Sequence, residues 1–122
     1  MRNFSKSKLI AYRQCPKRLW LEIHHPELRQ DSAQTTMSYQ VGHTVGEIAQ
    51  RLYDSAGTGT LIDAQSEGFE AAFARTSALL NLEHPIFEAG FCAAGALAFA
   101  DVMLPIKRDG QNAWRMVEVK SS

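Results

Sequence analysis

The stretch "DVMLPIKRDGQNAWRMVEVK", Asp101 to Lys120, decides the fold. Two apolar runs flank Arg108-Asp109-Gly110-Gln111, and an Asp-Gly pair in that setting is a strong local signal for a tight β-hairpin with a type I′ turn. With Asp109 and Gly110 at the centre of the turn, Arg108 faces Gln111. Carried outward, the register sets Val102 opposite Val117 and Asp101 opposite Glu118. Paired Cβ atoms on such a ladder stand about 5 Å apart, and strand alternation puts Lys120 on the face of Glu118. Val117 and Val119 then point to the other face with Val102 and Ala100. Two like charges set opposite each other are unfavourable, more so where Phe99, Met103 and Met116 exclude water. Lys120 bridging the acids is one way to offset the repulsion. A divalent cation is another, because Mg²⁺ takes oxygen ligands and is commonly held by one or two carboxylates plus waters and phosphates. A lysine beside such an ion would stabilise charge developing on a phosphate.

Upstream of the hairpin, "IFEAGFCAAGALAFA" continues the apolar and aromatic character, so about three antiparallel strands are expected. The first two thirds read as helices. Ser5 suits an N-cap, with Phe4 and Leu9 spaced as a hydrophobic staple, and a short helix should run to about Arg13. Pro16 suits the first position of a second helix that buries Leu19, Trp20 and Ile23 and stops at Pro26. Residues 27–36 read as a polar loop. From Ser38 to Tyr53, Val41, Val45, Ile48 and Leu52 recur at helical spacing and predict an amphipathic helix buried along that stripe, ended by Gly57 and Gly59. Thr60 to Ile62 suits a short strand. Asp63 would cap a third long helix presenting Phe69, Ala72, Phe73, Leu79 and Leu80, barred by Pro85. Helices first and strands last give an α/β fold of α+β-like order, its antiparallel sheet covered by helices.

The 122 residues fit one domain with a modest core, and 45% hydrophobic with 21% charged residues matches an ordinary globular chain. No run approaches the ~18 apolar residues of a membrane span, and no secretory signal opens the chain. A cytoplasmic location is the expectation. Cys15 and Cys92 are too few for a disulfide framework. Net charge is zero, but six of the 13 basic residues, Arg2, Lys6, Lys8, Arg13, Lys17 and Arg18, precede the first acid, Glu22. They read either as a solvated surface or as a face for a phosphate backbone.

Asp101 followed after a hairpin by Glu118-Val119-Lys120 resembles the "D … (D/E)-x-K" signature of the PD-(D/E)XK nuclease superfamily. "SKSKLIAYRQCPKRLWLE", Ser5 to Glu22, is similar to the opening of RecB-like nucleases, including the CRISPR-associated RecB-like exonucleases. "YQVGHTVGEIAQRLY", Tyr39 to Tyr53, resembles that branch's glycine-containing core helix, and "IFEAGF", Ile86 to Phe91, the strand that leads into the catalytic hairpin. A bacterial family of multidomain proteins with a RecB-like segment at the N-terminus shows the same order.

The resemblance implies a restriction-endonuclease-like core, with a basic helical segment at 1–26 and a partial catalytic core at 37–122, acting as a metal-dependent DNA nuclease. Asp101, Glu118 and the Val119 carbonyl match the ligands of Mg²⁺ or Mn²⁺; Lys120 matches the catalytic lysine and Glu47 the acid of the core helix. Lys6, Lys8, Arg13, Lys17 and Arg18 would contact DNA. Gly46 stands where many relatives carry a histidine, with His43 one turn earlier, either a ligand or an exposed partner of Glu47. Cys15 matches a cysteine that helps bind an iron-sulfur cluster in relatives, although Cys92 matches none of the other three, so a cluster would need downstream cysteines. A half-buried thiol at a helix junction is the other reading. The family fold continues past E-x-K with another strand and helix, which implies that this chain is part of a longer domain and that a bare sheet edge would favour a homodimer or strand exchange. A nuclease-fold module that binds DNA or a protein without cleaving is the alternative.

Overall fold

The computed structural model describes residues 3–121. Ser5 caps α1 (Lys6–Gln14) by accepting the Lys8 amide, and Pro16 opens α2 (Pro16–His24) with Cys15 at the junction. Leu19 is buried as expected, but Trp20 is half exposed and lies against His24 and His25, with ring centroids 4.8 and 5.4 Å away. A 3₁₀ turn, Pro26–Leu28, follows. The expected loop is shorter than its composition suggested, because Ser32 caps α3 (Ala33–Tyr53) five residues ahead of the predicted start.

Two predicted features of the helices are corrected. On α3 the stripe expected inside is largely outside: Val41, Ile48 and Leu52 are 48%, 57% and 72% exposed, while Ala49 is the buried contact. The helix packs on the sheet through Ala49, while Gly42, Val45 and Gly46 border a cleft between the two. The helix predicted from Asp63 is broken in two. Asp63 caps α4 (Ala64–Glu67), and Gly68 at φ 88° turns the chain before α5 (Phe69–Leu79). Only glycine adopts that backbone without strain, so the break is local chemistry.

The sheet has four strands in the order β1 (Thr60–Leu61), β2 (Ile86–Ala93), β3 (Ala96–Arg108), β4 (Gln111–Val117). β1 runs parallel to β2, and the other pairs are antiparallel, so the sheet is mixed. Asp109 and Gly110 hold φ of 51° and 76°, the signs a type I′ turn requires, and Arg108 faces Gln111 with Val102 facing Val117. A second such turn at Ala94 and Gly95, φ 50° and 78°, joins β2 to β3.

Helix α5 packs on one face of the sheet, where Ala72 with Leu79 and Leu80 meets Ile86, Ala89, Ala100, Met103 and Trp114. Helix α3 closes part of the other, with Ala49 against Phe87 and Val102, and Leu104, Val117 and Val119 alongside. The N-terminal segment is tied to the β2–β3 turn: the Phe4 amide donates to the Gly95 carbonyl at 2.7 Å, and the Leu97 amide donates to the Phe4 carbonyl at 2.8 Å. Five α-helices and a four-stranded mixed sheet thus make an α+β molecule among the described residues. No helix among these residues is long and apolar enough to cross a membrane.

Candidate functional site

The β3–β4 ladder ends at Val102 opposite Val117, and the chain leaves strand geometry before Glu118. The expected Asp101–Glu118 pair is therefore not part of the ladder. Asp101 Oδ2 instead accepts the Val119 amide at 2.7 Å, a charge-assisted bond that draws the centre of Glu118-Val119-Lys120 onto β3. Strand alternation is lost at this point: Val119 and Lys120, predicted on opposite faces, both line the same cleft as Asp101. Met116 does not shield the acids, being 71% exposed.

That cleft, about 290 Å³, lies between α3 and the sheet and is lined by Gly46, Gln50, Glu88, Asp101, Val119 and Lys120 among others. A Cβ added at Gly42 or Gly46 would meet nothing within 4 Å, so these glycines border open space and keep the helix from filling it.

Glu118 faces outward. Its Oε1 takes Lys120 Nζ at 2.8 Å and Lys6 Nζ at 3.1 Å, the latter from α1, and these two contacts hold the carboxyl below its ordinary range, Lys120 contributing first. The Lys120 ammonium is correspondingly raised by Glu118, with a smaller contribution from Asp101.

Glu88 was not singled out by sequence reading. It stands across from Asp101 at the one step the β2–β3 ladder skips, between the Phe87/Val102 and Ala89/Ala100 pairs. Its φ is 57°, a left-handed conformation that costs an L-residue roughly 1–2 kcal/mol. The residue is exposed on the strand, yet partial desolvation by the surrounding protein pushes its carboxyl up, and Asp101 adds to the shift. Such strain in the middle of a strand persists only where the surroundings impose it. The signal lay in the Ala94-Gly95 turn, whose register carried outward sets Glu88 against Asp101; Ala-Gly is a weaker turn sequence than Asp-Gly.

The remaining expected site residues lie elsewhere. Glu47 and His43 form the exposed i,i+4 pair at 3.5 Å and line a neighbouring groove that shares Gly42, Gly46, Gln50 and Glu88 with the first. Lys8 donates to the Asn3 carbonyl at 2.8 Å. Arg13 is exposed in the last turn of α1, where a cation suits the carbonyl end of the helix. Lys17 and Arg18 line a separate hollow with Cys15, and Arg18 is held by Glu22 and Gln14. Arg2 lies outside the described residues. Cys15 and Cys92 are free, exposed thiols, so Cys15 is not the half-buried thiol expected at the helix junction.

The oxygen donors suit a hard divalent cation in kind. Among the described residues, however, no three His, Cys, Asp or Glu side chains converge on a point that would hold a metal ion. Asp101 Oδ2 is engaged with a backbone amide and Glu118 Oε1 with two ammonium groups. No protein-family model, curated protein or solved structure matches the chain.

Proposed function

We propose that this chain is the RecB-like part of a PD-(D/E)XK nuclease, with a restriction-endonuclease-like core, and that it serves metal-dependent hydrolysis of DNA phosphodiesters. The observation that carries the reading is the bond from the Val119 amide to Asp101, which joins the acid of one strand to the middle of the E-x-K segment of the next beside an open cleft. Asp101, Glu118 and the Val119 carbonyl would hold Mg²⁺ or Mn²⁺. The bound ion would supply an acidified water and charge to polarise a phosphoryl oxygen. Lys120 is an ammonium at the cleft wall, suited to negative charge developing on phosphate. Glu47 would contribute from the adjoining groove, and the basic side chains of α1 and α2 would track the DNA backbone without reading its sequence.

The alternative, a nuclease-fold module that binds DNA or a protein without cleaving it, is favoured by one observation: Glu118 is neutralised by lysines. Mn²⁺ titration of the wild-type chain, Asp101→Asn and Glu118→Gln separates the two. Cleavage chemistry requires saturable Mn²⁺ binding that both substitutions weaken at least tenfold. DNA affinity that survives both substitutions and falls in a Lys17→Ala/Arg18→Ala variant, in a protein with no Mn²⁺ binding, would establish the binding module instead.

A further inference from the structure

We propose that the exposed apolar row of α3 is the face on which a second copy of this chain docks, the two helices pairing end for end about a two-fold axis. Met37, Val41, Ile48 and Leu52 are 63%, 48%, 57% and 72% exposed. With the exposed Thr44 they fall within roughly 80° of arc at 3.6 residues per turn. The other sides of the helix are engaged. Ala49 meets the sheet, Gly42 and Gly46 border the cleft, and the Tyr39 hydroxyl accepts Arg29 Nη2 at 2.6 Å. The docking goes beyond the nuclease reading and needs no metal ion.

The symmetry of the row itself points to a second copy as the occupant. Met37 and Leu52, like Val41 and Ile48, stand at equal distances from the midpoint between Thr44 and Val45. A second α3 laid antiparallel across the first therefore sets Met37 against Leu52 and Val41 against Ile48, each twice over, with Thr44 beside its own copy. That is the self-complementary pattern an isologous interface requires. The charges agree. Of the residues in α3, Glu47 and Arg51 alone are Asp, Glu, Lys or Arg, and both lie past its midpoint. End-for-end pairing brings the flank that carries them to the uncharged Thr36 and Gln40 of the second copy, whose hydroxyl and amide can hydrogen-bond either charge. It also opposes the two helix dipoles, which a parallel pair would align. From Met37 to Leu52 the row is about 23 Å long, which limits the contact to roughly 1,000 Å² in total, the low end for a specific interface. The dimer is accordingly weak, with a dissociation constant on the order of 100 µM.

Sedimentation equilibrium of the wild-type chain from about 5 to about 500 µM, without added metal, should show the mean mass rising toward twice that of the monomer. Val41→Glu and Ile48→Glu, both at exposed positions, should weaken association roughly tenfold or more while keeping the wild-type circular dichroism. Disulfide trapping reads the geometry, in a Cys15→Ser/Cys92→Ser background that removes the two exposed thiols. Thr44→Cys should cross-link to itself. Met37→Cys alone should not, since its two copies stand about 23 Å apart along the axis, but mixed with Leu52→Cys it should. A wild-type chain that stays monomeric throughout overturns the proposal. So does a dimer that survives both glutamate variants, as pairing through the β4 edge would give, or one trapped by Met37→Cys alone, as a parallel pair would give. If a glutamate variant fails to fold, the cross-linking pattern decides by itself. None of these outcomes bears on the nuclease reading, which the Mn²⁺ titration tests.

Discussion

Replacing Glu88 tests whether the strand carries strain at the cleft. Glu88 holds φ 57° in the middle of β2, and a left-handed L-residue costs roughly 1–2 kcal/mol that glycine does not incur. Glycine gives back about 0.5–1 kcal/mol through its greater freedom in the unfolded chain. The backbone balance of Glu88→Gly against Glu88→Ala is therefore a gain of roughly 0–1.5 kcal/mol, or up to about 6 °C in Tm for a domain of this size. Both substitutions delete the carboxylate, so the comparison cancels its charge. Urea unfolding at neutral pH, followed by Trp114 fluorescence, measures the difference. The reverse order, with the glycine variant less stable than the alanine variant, is what an unstrained strand position gives and would refute the reasoning.

The charge is read separately with Glu88→Gln. A carboxyl raised in the folded state binds its proton more tightly there, so its ionised form costs stability above the raised value. That cost is relieved as pH falls toward the ordinary carboxylate range. Glu88→Gln should accordingly be more stable than wild type at neutral pH, and the advantage should shrink on acidification.

Thr76 is buried, donates to the Ala72 carbonyl and accepts the Gly90 amide, each at 2.9 Å, so Thr76→Val should cost about 1–3 kcal/mol in urea unfolding by leaving that amide without its acceptor. A Cβ at Gly90 would sit 2.9 Å from Phe99 and 3.0 Å from Phe73; Gly90→Ala should destabilise by about 1–3 kcal/mol and disturb the Phe69–Phe73–Phe99 cluster, visible in the aromatic NMR signals. Asp54 is held below its ordinary value, chiefly by the Gly59 amide and then by Thr58, so its contribution is present above the ordinary value and lost as pH falls through the lowered one. Asp54→Asn should flatten the loss of stability between about pH 5 and pH 2, measured as urea midpoints.

The sequence by itself determined what short-range chemistry determines. Ser5 and Pro16 set helix starts because a cap and a missing N–H act within one turn. Asp109-Gly110 fixed the register as far as Val102 and Val117, because a type I′ turn leaves two strands no other pairing. The same arithmetic overran by one step at Asp101 and Glu118, where the Asp101 carboxylate takes the Val119 amide after the ladder has ended. Tertiary structure alone decided the rest. Helix α3 packs through Ala49 and leaves Val41, Ile48 and Leu52 exposed, because the valine-leucine periodicity marks an apolar stripe but could not show which side had a neighbour. Lys6 meets Glu118 only because the start of α1 is brought to the segment that follows β4, 112 residues away. Local rules reach one turn of helix or one hairpin, whereas the cleft is assembled from contacts spanning almost the whole chain.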